Sequence, residues 1–426
     1  MLDIKFILGN KRIVEETIQN KKGEPVDLGK LESLYEERKK LRQKVTEINQ
    51  KRNIAAKERN VDEGKKLRVE LQKAEDELDR IEKEFVRLMI KIPNVASPDT
   101  PIGSDESHNK VVRQWGDKTK FNFKAKEHDE LGKELGVIDS EKAADISGAR
   151  FTYLKGDLAM IQYALFHFVM NVLTNEETLK EIANEAGADI SVKPFVPVVP
   201  PLMMKTAVMN RMARLDPIDE RYVFEKDDLV LIGSAEHTLG PLHMDEVIED
   251  KNLPLRYVAF TPAFRREAGS YGKDTKGIIR QHQFDKIEME TFTRPEDSLK
   301  EQDFIVGIQE YIMRKLKIPY QVVIICTGDM GLPDYRQFDI EAWMPGQHKY
   351  RETHTSDLMN GYQARRLNTR IKKSDGKMEP VHMNDATALA MGRALAAIME
   401  NYQKEDGSIK VPDVLQKYVG KEVIES

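Results

Sequence analysis

The stretch from Phe264 to Met289, "FRREAGSYGKDTKGIIRQHQFDKIEM", carries an arginine and a glutamate at each end of a glycine-bearing loop. Side chains alternate faces along a strand. Arg265 and Glu267 therefore share a face, and Arg280, Phe284 and Glu288 share a face of the returning strand. If the hairpin closes with those faces together, two guanidiniums, two carboxylates and one aromatic ring line a single floor. Cross-strand ion pairs on a solvated sheet account for the charges. They do not account for the phenylalanine, or for a loop with Gly269, Gly272 and Gly277 that could close over a ligand. Arginines for phosphates and a flat ring for a base suit a nucleotide.

Three further patches fit the same chemistry. In "NDATALAMGRALAAIMENYQ" the residues from Ala388 to Met399 are apolar nearly all round, which predicts a buried terminal helix. Arg393 interrupts it, and a buried guanidinium needs an anion or a π surface beside it. Gly392 fits a close approach of helix to sheet. In "KYRETHTSD", Glu352 and Thr355 are candidate oxygen ligands for Mg²⁺. In "GSAEHTLG", Ser234 and Glu236 share a face if extended and could accept hydrogen bonds from an ammonium. Ordinary strand polars explain these last two patches equally well. His237 and His282 have no partners at metal-ligand spacing. No GxxxxGK[ST] loop and no GxGxxG in a βαβ context is present, so any ATP is held another way.

Positioning these groups takes more than one domain, as a length of 426 residues implies. Net charge is −5, so the whole chain is no generic polyanion binder. The single cysteine, Cys326, rules out an internal disulfide and fits a reducing compartment. No run reaches ~18 apolar residues and no signal peptide is evident, so a cytoplasmic protein without a membrane partner is expected.

Residues 28–92 differ from the rest. Leu31, Leu34, Leu41, Val45 and Ile48 form one apolar series, with Arg38 and Arg52 interrupting. Leu67, Leu71, Ala74, Leu78, Ile81, Phe85, Leu88 and Ile92 form another. This spacing predicts an antiparallel helical hairpin, with Asn60, Asp62 and Gly64 as turn residues. From Arg38 to Arg68 there are twelve Lys/Arg against four Asp/Glu, hence +8. A solvated coiled-coil face explains such a run; so does an arm that tracks phosphates. Beyond residue 105, successive strands with few helices between them predict an α+β fold with a mostly antiparallel sheet. Residues 157–173 read as a buried helix.

Taken together, these segments resemble the seryl-tRNA synthetases, a family of class II aminoacyl-tRNA synthetases, over nearly the whole chain. Residues 260–290 resemble motif 2, residues 385–403 motif 3, and residues 157–201 motif 1 with its proline at Pro201. The resemblance implies a tRNA-binding domain over 1–100 with its arm at 28–92, and a catalytic domain over 105–426. It implies a six- to seven-stranded antiparallel sheet flanked by helices, and a homodimer. It also implies ATP-dependent activation of L-serine with Mg²⁺, and transfer to tRNA(Ser), with tRNA(Sec) left open as a second acceptor.

By the same analogy Arg265 holds the α-phosphate and the serine carboxylate, Glu267 reads the adenine amine and Arg280 binds the γ-phosphate. Phe284 and Arg393 sandwich the adenine, while Glu352 and Thr355 hold Mg²⁺ and phosphate. Ser234 and Glu236 meet the serine amine, and Glu288 and Thr387 its hydroxyl. Arg38, Lys44, Arg52, Lys57 and Arg59 are the candidate tRNA contacts.

The chain departs from the family pattern in places. Asp385-Ala386 stands where Asn-Gly is usual, Ser234 where threonine is usual, and "NRMARLDPIDERY" replaces a glycine-rich segment. Two other readings stay open here: a paralogue that loads a non-tRNA acceptor, and a non-catalytic coiled-coil nucleic-acid binder.

Overall fold

A computed structural model describes residues 1–268 and 277–425; Gly269 and Gly272 lie outside them. The chain divides into two compact units, Met1–Val95 and Ala96–Ser426.

The first unit is helical: α1 (Ile4–Gly9), α2 (Lys11–Asn20), α3 (Leu28–Lys57) and α4 (Val61–Met89). The carboxylate of Asp27 accepts from the Lys30 N–H at 2.8 Å and starts α3. Asn60 accepts from the Glu63 N–H at 3.2 Å and starts α4. Between them Arg59 takes φ +56°, which turns the chain back. Leu31, Leu34 and Ile48 of α3 are buried, as are Leu67, Leu71, Ala74, Ile81 and Phe85 of α4. Each fully buried Leu or Ile contributes ~2 kcal/mol. Each arm is about 45 Å long at the α-helical rise. Arg38 belongs to this seam rather than to the basic surface. Its guanidinium lies 4.7 Å from the Phe85 ring centroid and pairs with Glu82. Lys44, Lys57 and Arg59 are exposed, and Arg52 is half-buried beside Asn49.

Eight strands among the described residues of the second unit form its main sheet, one or two more than the resemblance implies. They are β1 (Lys110–Trp115), β2 (Val196–Pro197), β3 (Leu255–Phe264), β4 (Gln283–Thr293), β5 (Tyr320–Ile324), β6 (Arg336–Met344), β7 (Lys349–Asn360) and β8 (His382–Ala390). Their order across the sheet is β1-β5-β6-β7-β8-β4-β3-β2. Every pairing is antiparallel except that of the two-residue edge strand β2 with β3.

Helices α5 (Gly156–Thr174), α6 (Ser298–Lys315) and α7 (Met391–Tyr402) share one apolar core with the sheet. Ile287 and Met289 of β4 and Ala386 of β8 point into that core. Their neighbours Lys286, Glu288, Asp385 and Thr387 line a cavity on the other face. By length and composition α5 alone, among the described helices, could cross a membrane. Here Leu158, Ile161, Leu165 and Val169 of that helix are buried in the core.

The terminal segment corrects the sequence reading. Residues from Ala388 to Ala390 end strand β8, and the helix begins only at Met391. The last residues of β8, Ala388-Leu389-Ala390, run on into the apolar helix without a break, and periodicity cannot tell so short an apolar strand end from the helix that follows.

Two irregularities in the sheet aim side chains. The β6–β7 register passes from Ile340↔His354 to Glu341↔Glu352, so Thr353 is the extra residue of a bulge. The β4–β8 register passes from Ile287↔Leu389 to Glu288↔Thr387, leaving Ala388 extra. The buried amide of Gln309 on α6 donates to the Thr355 carbonyl at 2.7 Å and the Thr387 carbonyl at 2.8 Å. That one side chain ties both bulged strands to the helix beneath.

Candidate active site

The cavity of about 220 Å³ is lined by both strands of the opening hairpin, by β7 and β8, and by the start of α7. Of the catalytic-domain residues given a role toward ATP, Mg²⁺ or serine in the sequence, all except Ser234 line it directly. Ser234 stands one hydrogen bond behind, donating to Glu288 at 3.1 Å.

Strand alternation accounts for only part of this convergence. Arg265 and Glu267 follow the end of β3, and Arg280 precedes β4. The chain turns there: Glu267 takes φ +52° and its side chain pairs with Arg280. Arg265 is aimed by backbone bonds. Its N–H donates to the His282 carbonyl at 3.0 Å and its Nε to the Gly233 carbonyl at 2.9 Å. Its guanidinium carbon lies 5.4 Å from the Phe284 ring centroid. The cation over Phe284 is thus Arg265, whereas Arg393 sits across the cavity. Arg393 donates to the Glu352 carboxylate at 2.6 Å and to its carbonyl at 3.0 Å.

Close approach sets the start of α7. A Cβ on Gly392 would lie 2.5 Å from the Ile278 carbonyl oxygen, so a larger residue would push the helix off the hairpin. The returning hairpin strand is held from below by His128. Its Nε2 accepts from the Ile278 N–H at 3.2 Å, so Nδ1 carries the proton and donates to Glu400 at 3.0 Å.

The bulge at Thr353 explains how Glu352 and Thr355, three residues apart, both reach the cavity. Thr355 meets Thr387 hydroxyl to hydroxyl at 3.3 Å.

Ser234 and Glu236 are not extended. Ala235 is α-helical in conformation and a short helix runs Glu236–Leu239. The Gly233 N–H donates to His237 Nδ1 at 3.0 Å and holds that turn. Burial alone would push the Glu236 carboxyl up. The neighbouring Lys286 and Arg214 and the Ser234 hydroxyl outweigh it and hold Glu236 below the usual carboxylate range. Burial pushes the His237 imidazole down to about 3, so it is neutral near pH 7.

Lys286, unremarked in the sequence, is central to this end of the cavity. It lies 2.6 Å from Glu288 and donates to Ser234 at 3.1 Å. Its parity with Phe284 and Glu288 on β4 would have found it. Arg214 and Asp385 also line the cavity, joined by a 2.9 Å hydrogen bond. No local pattern connects two residues so far apart in the chain.

Burial pushes the Glu288 carboxyl up to about 8, against the pull of Lys286 and helped by Glu236 and Asp385. An unfolded glutamate ionises near 4.5. Between those two pH values the folded chain keeps a proton that the unfolded chain has lost. The stability contributed by this group therefore falls as pH rises through the window. Glu288→Gln has no such proton. Its melting temperature relative to the unsubstituted chain is expected to climb from about pH 5 to about pH 8 and level off above that. A difference independent of pH would contradict the assignment.

The cavity has two chemical ends. Arg265, Arg280 and Arg393, with Glu267, Phe284 and Glu352, suit a nucleotide and its phosphates. Glu236, Glu288 and Thr387, with Lys286 beside them, suit a small molecule with an ammonium and a hydroxyl; Thr355, 3.3 Å from Thr387, adjoins them.

The chain is similar to known proteins over its whole length. Residues 1–96 match the seryl-tRNA synthetase N-terminal domain, and residues 222–402 match the tRNA synthetase class II core domain (G, H, P, S and T). A serine–tRNA ligase of Pseudothermotoga lettingae is 36% identical, with 100% of both chains covered. One from Nitrosopumilus maritimus is 37% identical over 99% of each chain. The crystal structure of seryl-tRNA synthetase from Pyrococcus horikoshii complexed with ATP superposes with a TM-score of 0.85 at 33% identity, covering 100% of this chain and 99% of that one. The cytoplasmic serine–tRNA ligase from Naegleria fowleri in complex with AMP gives 0.83 at 29% identity, with 100% of this chain and 99% of that one covered.

Proposed function

The chain belongs to the seryl-tRNA synthetases, and on that footing we propose how its residues divide the work. It activates L-serine with ATP to seryl-adenylate and transfers the seryl group to tRNA. The observation that carries the residue assignment is convergence: six nucleotide-type groups and the serine-type groups share one cavity.

In the first step a serine carboxylate oxygen attacks the α-phosphorus and the bond to pyrophosphate breaks. In the second the terminal ribose hydroxyl of tRNA attacks the acyl carbon and AMP leaves. Neither step asks for a strong acid or base; positioning and charge neutralisation carry them.

Arg265 is assigned to the α-phosphate and the serine carboxylate, because its guanidinium is anchored to the Gly233 carbonyl, next to Ser234, and also lies over Phe284. Arg280 is assigned to the γ-phosphate, Glu267 to the adenine amine, and Phe284 and Arg393 to the adenine faces. The pairs Arg280–Glu267 and Arg393–Glu352 are made of groups the nucleotide also needs. Binding then exchanges internal ion pairs for phosphate and amine, and no charge is stranded.

Glu352 and Thr355 fit Mg²⁺. The Glu352 side chain is 42% exposed, and Mg²⁺ is commonly held by one or two carboxylates plus substrate phosphates. No described cluster of three acidic or histidine ligands could hold a metal alone, so phosphate oxygens would complete the shell. When bound, the ion would supply positive charge against the phosphate oxygens.

Ser234 and Glu236 are assigned to the serine amine, Glu288 and Thr387 to its hydroxyl. The exposed cations Lys44, Lys57 and Arg59 of the hairpin, with the half-buried Arg52, are assigned to the tRNA backbone. A homodimer is proposed from the family; exposed apolar side chains such as Met160, Tyr163, Val196 and Val199 are available to a partner surface. A cytoplasmic location is proposed, and the single free cysteine, Cys326, fits a reducing compartment.

The test is pyrophosphate exchange and tRNA charging with serine against alanine, threonine and cysteine. Exchange that ignores serine would reject the reading. Glu288→Ala is expected to lower kcat/KM for serine roughly 30–100-fold while the KM for ATP moves less than about threefold, because a site built for a hydroxyl loses its partner. Equal losses for both substrates would contradict the assignment.

A further inference from the structure

A row of acids crosses the closed end of the cavity. Asp357 on β7, Asp385 on β8 and Glu290 on β4 are register partners, side by side on the face away from the helices. Directly opposed residues lie ~5 Å apart, so like charges there repel. Arg214, from the segment after the helix Thr206–Arg211, reaches into the row. Its Nη2 donates to Asp385 at 2.9 Å and lies 3.9 Å from Asp357 and 3.8 Å from Asp334. The Arg214 side chain is only 17% exposed. The next row toward the opening is Thr355, Thr387 and Glu288, the last two again register partners.

We propose that Arg214 is a positioning residue for the amino-acid end of the site. By clamping Asp385 and Asp357 it fixes β8 against β7 and so holds Thr387 beside Thr355 and Glu288. This rests on the reading that Glu288 and Thr387 meet the serine hydroxyl. The two halves of the clamp explain each other. Asp385 replaces a neutral residue of the family pattern, and Arg214 stands in the segment that replaces a glycine-rich one. Without Arg214, Asp385 would lose its 2.9 Å partner and Asp357 and Asp334 the guanidinium they face. Burial pushes the Asp385 carboxyl up to about 6 against the pull of Arg214, so the guanidinium keeps it ionised near pH 7.

The clamp acts on serine and not on ATP, since neither residue borders the nucleotide groups in sequence or in the sheet. Arg214→Met is expected to raise the KM for serine about tenfold or more, with the KM for ATP within about twofold. Asp385→Asn alone is expected to do the same. The double variant R214M/D385N is expected to recover part of the loss, because the hydrogen-bonded pair is removed together while Asp357 and Asp334 still lose their cation. Arg214→Lys, which keeps the charge and loses the fork, is the second variant should R214M fail to fold. Its expected rise in serine KM is about threefold or more, with ATP unchanged. Unchanged serine KM in R214M, or in R214K where R214M does not fold, overturns the proposal. So does a parallel loss for serine and ATP without rescue in the double variant. Failure of the underlying reading is separately visible, since Glu288→Ala would then leave the serine KM unmoved.

Discussion

Arg265→Ala is expected to lower serine-dependent pyrophosphate exchange by about 10³-fold, while the melting temperature changes little. Removing one preorganised donor from a site of developing charge costs ~10²–10³-fold. Arg265 should lie at the upper end, because it is assigned to both reacting partners, the α-phosphate and the carboxylate that attacks it. Its aim is built in: Nε is committed to the Gly233 carbonyl, so the terminal nitrogens are the remaining donors. The guanidinium also lies over the Phe284 ring, 5.4 Å from its centroid. Arg265→Lys keeps a charge but loses both the Nε bond and the flat contact, and should recover less than about a tenth of the activity. The loss should appear in kcat as well as in the KM for ATP, since the interaction strengthens as pyrophosphate departs. Retention of activity within about threefold in Arg265→Ala would remove this residue from the chemistry.

The parts of this site that were legible in the sequence are those whose partners lie nearby in the chain. The hairpin from Phe264 to Met289 advertises its arginines, glutamates and ring within one short segment. The arm advertises itself through a sustained apolar seam, and Asn60 starts its second helix where the turn was expected. Other features depend on distant neighbours. Glu352 and Thr355 have the wrong spacing for one face of a regular strand, and only the bulge at Thr353 brings them together. Ala388 to Ala390 have helix-forming side chains, yet pairing of β8 with β4 and β7 decides their conformation. The turn at Ser234–Glu236 is held by a side-chain-to-backbone bond from His237 that no periodicity reveals. Arg38 looked like one more surface cation; Phe85 and Glu82 on the facing helix give it an internal place.

Removal of residues 28–92 is expected to separate the two half-reactions. The second unit, Ala96–Ser426, holds its own core and every residue assigned to ATP and serine. Exchange should therefore persist within about threefold, as expected when no transition-state contact is lost. Charging should fall by about 10³-fold or more, because phosphate contacts supply much of the affinity for nucleic acid. A finer version keeps the hairpin folded. Replacing Lys44, Arg52, Lys57 and Arg59 by glutamine leaves the apolar seam of Leu31, Ile48, Leu67 and Ile81 intact. Each phosphate contact adds ~0.7–0.9 to the slope of log affinity against log salt. The quadruple variant should accordingly lose about three units of slope for tRNA binding. Arg38→Gln should leave that slope unchanged and lower the melting temperature instead, since its guanidinium is spent on Glu82 and Phe85. A slope that drops for Arg38→Gln but not for the quadruple variant would reverse the roles given to these cations. Charging that survives loss of the hairpin would show that the catalytic unit alone selects its tRNA.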